Sequence, residues 1–140
     1  MEKVFKIFHY LSFIKYPILI IAVYYSYKPI FSDGKDLLES YNYALIFLGL
    51  GMGFDSLKNY GKLTWLDKKV YHKPKVAKYY FSVLGLLILS LVVFGAIGYF
   101  STAQSALKEL SIGLIIIGIG TIALLKAGMQ ATKNFIESEK

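Results

Sequence analysis

Residues Tyr79 to Phe100 read YYFSVLGLLILSLVVFGAIGYF, an uncharged run of 22 residues. Coiled as a helix, it would be about 33 Å long, enough to cross a hydrocarbon core of about 30 Å. Leu110 to Leu125 is also uncharged. That run gives about 24 Å as a helix, and Lys126, whose long stem can snorkel to the headgroups, extends it to a full span. Two membrane-spanning helices in the second half of the chain therefore decide the class.

Composition agrees with this reading. The 140 residues are 56% hydrophobic with a mean hydropathy of +0.51, above the usage of soluble domains. The formal net charge of +7 would point to nucleic acid only if it formed a basic face on a water-exposed fold. Here the lysines stand between apolar stretches. All 16 basic residues are Lys, so the bidentate guanidinium fork used for specific phosphate or base recognition is missing and no nucleic-acid partner is expected. The chain contains no cysteine, which excludes disulfide frameworks, thiol redox chemistry, iron–sulfur clusters and thiolate zinc sites. The apolar run after the amino-terminal lysines resembles a signal peptide, but no small-x-small cleavage site follows it, so the segment reads as retained.

Two further spans are less clean. Tyr43 to Phe54 is uninterrupted and apolar, and extending it to Tyr41–Leu57 brings the length to about 26 Å at the cost of including Asp55. The first span reaches about 32 Å only as Ile7–Tyr27, which carries His9, Lys15 and Pro17. A bend is expected near Pro17. The fold expected is all-α: a single domain of four transmembrane helices in an up-down-up-down bundle, with spans near 5–28, 36–58, 77–100 and 103–131.

Orientation follows from the lysines. The loop at 59–76 and its borders hold Lys58, Lys62, Lys68, Lys69, Lys73, Lys75 and Lys78 against Asp67, whereas the first loop balances Lys28 and Lys35 with Asp33, Asp36 and Glu39, and the third holds only Lys108 and Glu109. Because short cytoplasmic loops are enriched in Lys, both termini and the central loop are expected in the cytoplasm, in what would be a cytoplasmic (inner) membrane. Tyr24, Tyr25, Tyr27, Tyr41, Tyr43, Tyr99 and Phe100 would mark the outer interface, and Tyr60, Trp65, Tyr79, Tyr80 and Phe135 the inner one. Ser32-Asp33-Gly34 is a turn signal, and Ser101 with Gln104 has capping-box spacing, so the last two spans should form an antiparallel hairpin.

Ionisable residues inside a span cost about 2.5–3.5 kcal/mol at mid-helix on insertion scales, and Lys15, Asp55 and Lys126 are the three to weigh. Helical rise puts all three at similar depth in the inner half of the bilayer. Asp55 is expected to pair with Lys15 or Lys126 and to order the helices, while the other lysine snorkels. The alternative is a charged path for an ion, a proton or a substrate. Gly49 and Gly53 have small-xxx-small spacing, repeated by Ala123, Ala127 and Ala131, which suits close helix packing inside one bundle or between copies. Lys62, Trp65, Lys68, Lys69, Lys73 and Lys75 should contact anionic headgroups, with a short surface helix from Thr64 to Tyr71 ended by Pro74. His9 and His72 are too far apart in sequence to suggest a metal site, and no cofactor is expected.

For function, the leading expectation is a non-enzymatic accessory or scaffolding subunit of a membrane complex, or a homo-oligomer. A small oligomeric transporter or channel using Lys15, Asp55 or Lys126 is the alternative, and a membrane enzyme a third.

Overall fold

The computed structural model describes residues 2–34, 36–57, 74–101 and 106–138. Its elements are all helical: α1 (Glu2–Leu11), a 3-10 turn (Ser12–Ile14), α2 (Lys15–Phe31), α3 (Leu37–Asp55), α4 (Pro74–Phe100) and α5 (Ala106–Ser138). Three stretches are long and apolar enough to cross a membrane: Lys6–Phe31, Val76–Phe100 and Ala106–Asn134. The helix α3 is not one of the three. It has 19 residues, and Glu39 and Asn42 in its first turns and Asp55 at its end leave an apolar run of only about 18 Å between them.

Proline chemistry explains how the first span is broken. Pro17 has no N–H to give to the carbonyl of Phe13, and its ring crowds that carbonyl. The 3-10 turn falls on these residues, and the Ser12 hydroxyl donates to the His9 carbonyl at 2.7 Å. At the other end of α2, the Gly34 N–H donates to the Pro29 carbonyl at 3.1 Å while Asp33 (φ 51°) and Gly34 (φ 73°) take left-handed conformations. That is a Schellman-type stop, and it turns the chain back into α3.

The helices pack as a row in the order α2, α3, α5, α4, with α3 and α5 in the middle. Register shows their directions. Lys15 meets Asp55, Leu19 lies over Gly51, and Tyr25 stacks on Phe47, so α2 and α3 are antiparallel. Gly98 lies against Leu107 and Gly118 against Val92, so α4 and α5 are antiparallel too. Between the middle pair the order is Asn42 with Gly113, Gly49 with Ile116, and Met52 with Thr121, so α3 and α5 run parallel. Successive helices thus alternate in direction, and α5, the last in sequence, sits between α3 and α4.

Apart from Ile88, small residues make the apolar core among the described residues. Ala22, Ala44, Ala77 and Ala131 are buried, whereas Ile20, Tyr24, Phe31, Leu86, Leu89 and Phe100 are exposed on the flanking helices. On α5, Gly113 and Gly120 face α3 while Ser111 and Gly118 face α4. Each pair is seven residues apart, the repeat that keeps a face in contact along nearly aligned helices. The last helix continues to Ser138, past its expected end, with Lys133 reaching Glu137 at 3.9 Å one turn on.

Candidate functional site

Several polar side chains inside the helices have defined partners, whereas the hydroxyl of Ser40 in α3 is buried without one among the described residues. Lys15 donates to Asp55, joining the start of α2 to the end of α3. The lysine side chain is 14% exposed and the carboxylate 36% exposed, and the ammonium also lies 5.2 Å from the centre of the Tyr16 ring. A cation this far from water is held by a charge and a ring face together. Lys126 does not join them. Its side chain is exposed and has no ion-pair partner among the described residues.

A second polar contact crosses the middle of the row. The Asn42 Oδ1 accepts a hydrogen bond from the backbone N–H of Gly113 at 2.7 Å. Only a glycine lets the amide come this close, because a Cβ there would lie 2.7 Å from that same oxygen. Asn42 did not figure among the candidate residues of the sequence, although an asparagine directly before an apolar run is the kind of side chain that needs an interhelical partner. Thr121 is buried; its hydroxyl donates to the Ile117 carbonyl at 2.7 Å and lies 3.6 Å from the Met52 sulfur. His9 packs edge-on against Phe13, with ring centres 5.4 Å apart. Among the described residues, no group of three His, Asp or Glu lies close enough to hold a metal ion.

Gly49 and Gly53 separate in role. A Cβ on Gly49 would lie 2.6 Å from the Ile116 carbonyl oxygen, and one on Gly120 would collide with the Gly49 carbonyl. These two glycines are the point of closest approach between α3 and α5. Gly53 faces open space. From the Gly49–Gly120 contact toward the Asp55 end, an apolar groove of about 360 Å³ opens between the two helices, walled by Leu50, Phe54, Leu57, Ile119 and Ala123. Ala123 lines this groove, Ala127 is half-buried one turn beyond, and Ala131 is buried. The glycine partner of Gly49 is therefore Gly120, not a member of the alanine series.

Lys62, Trp65, Lys68, Lys69, Lys73 and the expected helix over 64–71 lie outside the described residues, as does the step from Thr102 to Gln104. Lys75 falls in the first turn of α4, which Pro74 opens. Proline suits that position because the first N–H of a helix has no partner to lose.

The fold and its three long apolar helices define the class, a helical membrane protein. The chain matches no family model, no curated protein and no solved structure.

Proposed function

We propose that the chain crosses the bilayer four times, with both termini and the basic segment on the cytoplasmic side, and serves as a non-enzymatic accessory or scaffolding subunit. One observation carries this reading: polar groups inside the helices bond within the bundle, either to a neighbouring helix or back to their own, while large apolar side chains point outward. Lys15 neutralises Asp55, Asn42 caps Gly113, and the hydroxyls of Ser26, Ser111, Thr121 and Thr132 return to carbonyls of their own helices. Such a body offers helix flanks for packing against other membrane helices.

In this reading α3 is the fourth span. Antiparallel pairing with α2 and parallel pairing with α5 carry it alongside two helices of spanning length, so Glu39 and Asn42 fall at one interface and Asp55 at the other. Lipid anionic headgroups would then meet the lysines of 59–76, at about 1 kcal/mol each.

Topology is tested with single cysteines, which a chain free of cysteine makes clean. In intact cells an impermeant thiol reagent should reach Asp36→Cys and leave Lys69→Cys and Lys133→Cys unlabelled. Labelling at Lys69→Cys would overturn the orientation. Function is tested by extraction in mild detergent and mass measurement. A foreign membrane subunit present at fixed stoichiometry is the expected result. A clean homo-oligomer that conducts ions or moves a solute in vesicles would replace this reading with the transporter, and a tightly bound cofactor with an enzyme.

A further inference from the structure

We propose that the groove between α3 and α5 holds an acyl chain of an anionic phospholipid of the cytoplasmic leaflet, with its headgroup at Lys126; the leaflet assignment rests on the four-span reading above. The groove is lined by Gly49 to Leu57 on one side and Ile116 to Ala123 on the other. Its walls thus run along the helices for about 10–12 Å, the direction in which lipid tails lie when helices cross a bilayer. Gly53 keeps it open, since nothing lies within 4 Å of where its Cβ would be.

Charge selects the ligand. Lys126 is seven residues beyond Ile119 and three beyond Ala123, so it shares their face of α5, one turn past the groove toward the Asp55 end. The ammonium is exposed, and the carboxylate of Asp55 is engaged by Lys15 of α2, the helix on the side of α3 away from α5. An apolar channel with, among the described residues, the exposed ammonium of Lys126 at its interfacial end complements an amphiphile with an anionic head. A second copy fits less well. A two-fold contact through this groove would set the two Lys126 side chains at the same depth beside the axis, and like charges facing each other oppose association.

The test is native mass spectrometry of the full chain in mild detergent, offered phosphatidylglycerol and phosphatidylcholine of equal chain length. Wild type should retain phosphatidylglycerol in preference. Lys126→Met should cut that preference about fivefold, the worth of one lysine near an anionic headgroup. Gly53→Leu should fill the groove and lose both lipids, with helix content and unfolding midpoint serving as the check that the fold is intact. Equal retention of lipid by folded Gly53→Leu, or an unchanged preference in Lys126→Met, would overturn the proposal. So would a wild-type dimer that Gly53→Leu converts to monomer, since the groove would then be a seam between copies. Lys133→Cys labelled from outside the cell would overturn the leaflet alone, with the lipid preference unchanged, so failure of the topology and failure of the site are distinguishable.

Discussion

The two faces of α3 are built on opposite principles. Toward α2 the contact is made by side chains: Lys15 with Asp55 at one end, and at the other the Tyr25 ring stacked at 5.7 Å on Phe47 and 5.1 Å from Tyr43. Toward α5 it is made largely by their absence, with Gly49, Gly113 and Gly120 letting backbones touch. In a lipid environment the hydrophobic effect does not draw helices together, so close packing and a few polar contacts must do it. The side-chain face can adjust by rotamer, whereas the backbone face cannot.

That contrast predicts a graded series of losses. The largest should come from Gly120→Ala, whose new methyl would land on the Gly49 carbonyl. Backbone cannot swing aside as a side chain can, so the cost should reach the top of the overpacking range, about 3 kcal/mol. Reversible unfolding in mixed micelles measures it, and a loss under about 1 kcal/mol would mean that the two helices are not in backbone contact.

Asp55→Asn should come next, at about 1 kcal/mol, because it leaves Lys15 beside a neutral partner while the partial exposure of the site moderates the penalty. The double change Asp55→Asn with Lys15→Met should recover part of that loss, since removing both charges removes the need for compensation. The same double change made with Lys126→Met should recover nothing, Lys126 being exposed and apart from the pair. Recovery through Lys126 would show that the wrong lysine has been assigned to Asp55.

Asn42→Ala should cost about 0.6 kcal/mol, the mean for interhelical hydrogen bonds in membranes. Amide exchange at Gly113 should quicken in the same variant, a readout that a general loss of packing would spread over all of α5. Smallest of all is Gly53→Ala. Its methyl meets nothing within 4 Å, so stability should hold or rise by less than about 1 kcal/mol through helix propensity. A destabilisation comparable with that of Gly120→Ala would erase the distinction between the two glycines.

The helices themselves were legible in the sequence to within about three residues except at the end of α5, because a run such as Tyr79–Phe100 can satisfy its backbone in a bilayer only as a helix. The ends differ where local chemistry is permissive. Pro74 opens α4 ahead of the expected start, and the carboxyl-terminal stretch has no glycine or proline after Gly128 to stop α5. Depth arithmetic was enough to put Asp55 level with a lysine, but not to choose between Lys15 and Lys126. That choice depends on which helix lies beside α3 and which face it turns, and a helix apolar all round carries no moment that reveals its buried side. The position of α5 between α3 and α4 was hidden for the same reason, and with it the pairings of Gly49 with Gly120 and of Asn42 with Gly113.

The parallel α3–α5 contact has a consequence in time. Asn42 and Gly113 are 71 residues apart, and at a synthesis rate of about 5–20 residues per second the second follows the first from the ribosome by about 4–14 s. Over that interval the nascent chain holds α3 with one face closed by α2 and its glycine face bare. When α5 emerges it must enter between two helices already made, not add at the edge. Anything that occupies the bare face early competes with the last step of biogenesis, so the vulnerable stage for this chain is the seconds before α5 arrives.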